Sequence, residues 1–226
     1  SRPDADFDYR IFNSDGSEVE HCGNGARCFA KFVTDRELTT KPVITVNTSR
    51  GLIELELTET GLVRVNMGQP ALDPKTLPYQ GPPEPDQIHT VVLEISDGSR
   101  SFGLISMGNP HAVTVVDSVD ATAVADIGQA IQNLPQFPDS VNVGFMEIIS
   151  TKEIRLRVLE RGVGETLACG TGACAAMTYG RLLGQLDHDV IVATRGGNLQ
   201  IEWQGEGYDL MMTGPAESVF EGEFRL

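Results

Sequence analysis

Apolar residues recur at helical spacing in two stretches of the chain. Ala26, Phe29, Ala30 and Val33 make one stripe and Ala173, Ala176, Met177 and Gly180 the other, so each stretch predicts a helix. Cys22-Gly23-Asn24-Gly25-Ala26 leads into the first and Cys169-Gly170-Thr171-Gly172-Ala173 into the second, which puts a cysteine at each N-terminal mouth. Strand patterns follow both helices. Ile53, Leu55 and Leu57 alternate with Glu54 and Glu56; after a turn at Thr60-Gly61, Val63, Val65 and Met67 alternate with Arg64 and Asn66. In the later stretch Leu199, Ile201 and Trp203 alternate with Gln200, Glu202 and Gln204, while Ile154, Leu156 and Val158 form a strand that ends at Glu160 and Arg161.

The two stretches are copies of one unit. The cysteine motifs are 147 residues apart, the prolines of Met67-Gly68-Gln69-Pro70 and Met212-Thr213-Gly214-Pro215 are 145 apart, and the Gly51 turn answers Gly196-Gly197. Six prolines between Pro70 and Pro85 mark an irregular connection. The expected fold is α+β: two pseudo-symmetric lobes, each a strand-rich sheet or barrel around a central helix. The second copy begins with the strand near Ile88 and has about 80 residues before its cysteine, whereas the first has 21. Repeat symmetry therefore implies a truncated N-terminal lobe, short by roughly 50–60 residues.

Composition narrows the function. Hydrophobic residues make up 40% and charged residues 22%, an ordinary globular balance. No apolar run reaches transmembrane length, and no basic segment followed by an apolar stretch opens the chain. The net charge of −15 argues against nucleic acid and anionic membrane surfaces as partners. It also requires a local positive site for any anionic substrate. The four cysteines, Cys22, Cys28, Cys169 and Cys174, are too few for a disulfide scaffold, and their C-x5-C and C-x4-C spacings fit a structural zinc site poorly. No metal is expected, and a cytoplasm that keeps thiols reduced suits them best. Cys28 and Cys174 lie inside the helices and read as small core residues.

A helix mouth offers free N–H groups and partial positive charge, so it holds carboxylates and favours a thiolate, which would lower the thiol pKa from ~8.5 toward neutrality. One such cysteine is more often just a tight turn with a buried thiol. Two related by duplication point to inversion of a carbon that bears hydrogen, which needs a base on one face and an acid on the other. Both helix mouths would hold one carboxylate and stabilise the charge that builds as the α-proton leaves, with no cofactor.

Phe12-Asn13-Ser14-Asp15-Gly16-Ser17, Cys22 to Cys28, Met107-Gly108-Asn109-Pro110-His111, Val141-Asn142-Val143-Gly144-Phe145, Leu159-Glu160-Arg161-Gly162 and Glu165-Thr166 leading into Cys169 to Cys174 together resemble the diaminopimelate epimerase family, over essentially the whole chain. The resemblance implies a cofactor-independent epimerase that interconverts LL- and meso-diaminopimelate for lysine and peptidoglycan synthesis, cytoplasmic and homodimeric. It implies Cys22 and Cys169 as the two catalytic bases. It implies backbone N–H groups of Gly23, Asn24, Gly170 and Thr171 around the reacting carboxylate, and Asn13, Asn109, Asn142 and Arg161 on the distal amino-acid end. His111 would manage the proton of Cys22 and Glu160 that of Cys169. An Asn and a Gln of the family site fall upstream of Ser1.

Thr171 stands where many members carry Ser, which the resemblance tolerates if only its backbone N–H acts. Phe220 stands where some relatives have Tyr, in a C-terminal strand implicated in dimerisation. That strand is expected to cross back to the first lobe, giving a first lobe of 1–70 plus 213–226 and a second of 71–212. An arginine fork matches a carboxylate, and asparagines read both carboxylate and ammonium, as a substrate with two amino-acid ends requires. A racemase for another amino acid such as proline would not need this clamp. A thiol-redox or zinc protein would leave the paired motifs unexplained.

Overall fold

The computed structural model describes residues 2–12, 16, 18–19, 23–49, 51–81, 90–95 and 98–223. The chain folds into two compact units, residues 1–66 with 213–226, and residues 67–212. The architecture is α+β.

The first unit contains β1 (Phe7–Asp8), β2 (Ile11–Phe12), β3 (Glu18–Val19), α1 (Gly23–Asp35), β4 (Val43–Thr48), β5 (Gly51–Leu57) and β6 (Val63–Asn66). Strands run in the order β1-β4-β5-β6, with β2 and β3 forming a separate pair. The helix α1 is buried along one stripe, Gly23, Ala26, Arg27, Ala30 and Val33, and it packs on β5 and β6. Phe29 lies against the rings of Phe7 and Tyr9, with centroids 5.6 and 5.2 Å away. Cys28 points off the buried stripe and is exposed, so it is not the core residue expected of it. The segment after Thr213 lies along α1: Arg27 donates to Pro215 O at 3.1 Å and Arg36 pairs with Glu221 at 2.8 Å.

The second unit contains β7 (Thr90–Ile95), β8 (Gly98–Ser106), β9 (Pro110–Val115), α2 (Val124–Gln132), β10 (Asn142–Ser150), β11 (Glu153–Glu160), β12 (Gly164–Thr166), α3 (Gly170–Leu182), β13 (Asp189–Thr194) and β14 (Gly197–Glu202). A last strand, β15 (Met211–Gly214), carries the chain back into the first unit. The strand expected near Ile88 is described from Thr90 onward, and Ile88 itself lies outside the described residues. Strand order is β14-β13-β11-β10-β9-β8-β7, with β12 on β11.

This sheet is covered on both faces. Phe102 and Leu104 of β8 and Val143 and Phe145 of β10 belong to the core shared with Val124 and Ile131 of α2. Residues of opposite parity meet α3: a Cβ on Gly103 would fall 2.2 Å from the Tyr179 ring, so only glycine lets β8 and α3 approach this closely. Two-sided burial explains why residues 102–105 of β8, 110–114 of β9 and 142–146 of β10 are each buried without a break. The reading of one helix per lobe missed α2, although Val124, Ile127, Gly128 and Ile131 have helical spacing.

The duplication extends to hydrogen-bond register. Helices α1 and α3 each have 13 residues and begin 147 apart. The pairs Ile11↔Val19 and Phe12↔Glu18 become Val158↔Thr166 and Leu159↔Glu165 on the same shift. Both hairpins after the helices turn through a glycine of positive φ, 116° at Gly51 and 128° at Gly197. In each, a threonine three residues earlier donates to the glycine carbonyl, Thr48 at 2.9 Å and Thr194 at 2.7 Å.

Candidate active site

The second unit gathers most of the candidate residues at the start of α3. Cys169 is the N-cap residue, in extended conformation, and its Sγ accepts a hydrogen bond from Gly172 N at 3.4 Å. Its backbone carbonyl accepts from Ala173 N at 2.9 Å, which begins the helix ladder. Space beside Gly172 is tight: a Cβ there would lie 3.0 Å from Val158 Cγ2 and 3.2 Å from Cys169 Sγ, so one of them would have to shift. The helix is buried on all sides from Gly170 to Gly180, which leaves Cys169 only 5% exposed and Cys174 in the core.

Burial reverses the expected effect of the helix mouth. The Cys169 thiol is pushed up to about 12, first by loss of solvent and then by the charge of Glu160, which also accepts its hydrogen bond. The Thr171 hydroxyl and Gly172 N–H pull the other way and are outweighed. Cys169 is therefore a thiol at neutral pH. Glu160 is held in turn by Thr166, whose Oγ1 donates to Oε1 at 2.5 Å from the neighbouring strand.

Three further candidates form a chain that ends on the same sulfur. His111, fully buried on β9, lies 3.1 Å from Asn109 Oδ1 through Nε2. Asn109 Nδ2 donates to Thr171 Oγ1 at 3.2 Å, and Thr171 Oγ1 lies 3.5 Å from Cys169 Sγ. Burial, helped by the charge of Arg161, pushes His111 down to about 3, so the imidazole is neutral. An amide oxygen only accepts, so Nε2 carries the proton and Nδ1 keeps a bare lone pair. That Nδ1 is buried and has no partner among the described residues.

Asn142, paired with His111 across β9 and β10, ties two backbone groups together. Its Nδ2 donates to Pro110 O at 3.0 Å and its Oδ1 accepts from Arg161 N at 2.8 Å. Arg161 is exposed just beyond β11, with one nitrogen on Asp139 O at 3.1 Å and no carboxylate partner among the described residues.

In the first unit, Gly23 is the first residue of α1 and is buried, as Gly170 is for α3. The Asn24 side chain is held by Arg27, whose Nη2 donates to Oδ1 at 3.0 Å while Nη1 reaches Gly23 O at 3.4 Å. Sequence reading missed Arg27, a buried arginine on an otherwise apolar stripe, which is itself a signal. Cys22 and Asn13 lie outside the described residues. Among the described residues no group of three or more His, Cys, Asp or Glu is placed to hold a metal.

A family model described as diaminopimelate epimerase matches residues 1–72 and 103–219. Curated proteins with that name are close in sequence. One from Chromobacterium violaceum is 56% identical over 98% of this chain and 79% of its own length. One from Ectopseudomonas mendocina is 52% identical over 100% of this chain and 81% of its own. Among solved structures, a probable proline racemase from Agrobacterium radiobacter superposes with a TM-score of 0.68 at 18% identity, over 95% of this chain and 70% of that one. A PhzF-family phenazine biosynthesis protein from Enterococcus faecalis gives 0.65 at 18%, over 97% and 78%. At that identity the structural matches establish the fold alone.

Proposed function

The chain belongs to the diaminopimelate epimerase family, and from that premise we propose that it interconverts LL- and meso-diaminopimelate with Cys22 and Cys169 as the two bases and no cofactor. The observation that carries the assignment to residues is Cys169 itself: a buried N-cap thiol, protonated, with Glu160 on it and free helix-mouth N–H groups beside it.

In the direction where Cys169 acts as acid, Cys22 enters as thiolate. It takes the α-proton, and the C–H electron pair spreads into the substrate carboxylate. N–H groups of Gly23, Asn24, Gly170 and Thr171 hold that carboxylate as its charge grows. Cys169 S–H then delivers its proton to the opposite face of the carbon. The configuration inverts, Cys22 ends as thiol and Cys169 as thiolate, and the reverse reaction restores both. Glu160 serves the proton of Cys169. The bare Nδ1 of His111 suits a hydrogen-bond acceptor for the S–H of Cys22.

Arg161 and Asn13, with Asn109 and Asn142, recognise the distal amino-acid end. Asn109 and Asn142 already use part of their amides internally, so each brings its remaining donor and lone pair. The same reading makes the protein a cytoplasmic homodimer. Val219 and Phe220, 87% and 86% exposed, support a subunit contact there.

Formation of meso-diaminopimelate from the LL isomer tests the assignment. Cys22→Ala and Cys169→Ala should each abolish it, and Cys28→Ala should leave it intact. Full activity in either of the first two would overturn the proposal.

A further inference from the structure

We propose that the Thr171 side chain is part of the catalytic machinery: its hydroxyl donates to the Cys169 sulfur when that sulfur is a thiolate, and Asn109, fixed by His111, sets the direction of that donation. The inference rests on the function proposed above and concerns a different atom of Thr171 from the backbone N–H assigned to the carboxylate.

The argument is one of donors and acceptors. The neutral His111 spends its Nε2–H on Asn109 Oδ1 at 3.1 Å. That contact orients the amide so that Nδ2 faces Thr171 Oγ1 at 3.2 Å. A threonine hydroxyl has one proton and two lone pairs. With a lone pair taken by Asn109, its proton remains for the neighbouring acceptor, Cys169 Sγ at 3.5 Å. All four residues are held within the second unit, and Thr171 and His111 are buried, so water does not compete for these bonds.

A two-base cycle needs this donor. Each turnover has Cys169 as thiolate at one of its two ends, in a pocket that excludes solvent and places the Glu160 carboxylate beside it. Around the sulfur the groups that favour the anion are Gly172 N–H and the Thr171 hydroxyl. His111 and Asn109 are positioning residues in this scheme; they act on Cys169 through Thr171.

Thr171→Val keeps the shape and the backbone N–H and removes only the hydroxyl, whereas Thr171→Ser keeps the donor. The direct readout is the rate at which iodoacetamide alkylates Cys169 at a fixed pH near 8, measured by mass spectrometry and normalised to the exposed Cys28. Well below the thiol pKa that rate follows the thiolate fraction. Loss of one charge-assisted hydrogen bond should slow Cys169 alkylation by roughly 3- to 15-fold in Thr171→Val, the loss of thiolate being partly offset by its greater nucleophilicity, and leave Thr171→Ser within about twofold of wild type. The ratio kcat/KM should fall by one common factor in both reaction directions in Thr171→Val, because the equilibrium between the isomers is fixed.

Asn109→Leu should slow alkylation by itself but add nothing in the Thr171→Val background, which marks a shared route. Unchanged alkylation in Thr171→Val, equal losses in Val and Ser variants, or fully additive losses with Asn109→Leu would each overturn the inference. Failure of the underlying function would show separately, as epimerisation that survives Cys169→Ala.

Discussion

Glu165 lies four residues before Cys169 and holds the segment that delivers it. Its carboxylate takes both prongs of Arg157, at 2.7 and 2.8 Å, and a third bond from Arg195 at 3.1 Å. Arg157 also donates to Val119 O at 2.7 Å, and Gly196 N donates to Leu167 O at 2.8 Å. One charge therefore ties β11, β12 and the β13–β14 turn together. Glu165→Gln keeps the size, removes the charge and sets an amide N–H₂ against a guanidinium.

Charge-assisted bonds contribute about 1.5–3 kcal/mol, and breaking a fully buried pair from one side costs about 3–5 kcal/mol. Glu165 and Arg157 are 17% and 20% exposed and Arg195 54%, so solvent recovers part of the loss. The expected cost is about 2 kcal/mol at neutral pH.

The bonds from Arg157, followed by those from Arg195, hold the Glu165 carboxyl below its usual range. A depressed carboxylate contributes stability that is fully present above its unfolded pKa of ~4.3 and is lost as pH falls through the folded value. Urea unfolding of wild type and Glu165→Gln should therefore show a constant gap from pH 8 to about 5 that closes below about 4. A gap of the same size at pH 7 and at pH 3.5, or no gap at pH 7, would refute the reasoning.

Three other outcomes follow from the site. Gly172→Ala should push Val158 or Cys169 aside, lowering kcat about 10-fold or more while urea unfolding reports a loss of only about 1–3 kcal/mol. Glu160→Gln removes the charge that helps push Cys169 to about 12, so alkylation of Cys169 at pH 8 should accelerate by about tenfold, and an unchanged or slower rate would contradict the assignment. His111, held neutral with a folded pKa of about 3, gains its proton only on unfolding below about 6.5. Stability should therefore fall as pH drops from about 6.5 toward 3, by up to about 1.4 kcal/mol per unit from this residue, and His111→Gln should flatten that slope in urea titrations.

Local pattern carried the duplication, because each copy must bury the same helix stripe and turn at the same glycines; Gly51 and Gly197 adopt the positive φ their turns need. It carried the position of Cys169, since a Gly-x-Gly run after a cysteine marks a helix start. Properties set by tertiary surroundings were not legible. The spacing that made Cys28 look like Cys174 says nothing of how much of each helix is covered, and α1 is buried on one stripe where α3 is buried all round. The helix mouth suggested a lowered thiol pKa at Cys169, but burial and Glu160 outweigh it. The contacts of Arg27 with Pro215, of Glu165 with Arg195 and of the Thr171 hydroxyl with Asn109 join residues distant in sequence, which no single-strand or single-helix pattern encodes.

The central claim is that two separate thiols invert one carbon. Incubating the protein with LL-diaminopimelate in D2O and sampling the first few per cent of turnover tests it most directly. Two bases predict deuterium at the α-carbon of the meso product and almost none in the recovered LL isomer. Early deuterium in unreacted substrate would mean that one group both removes and returns the proton, and would contradict the account.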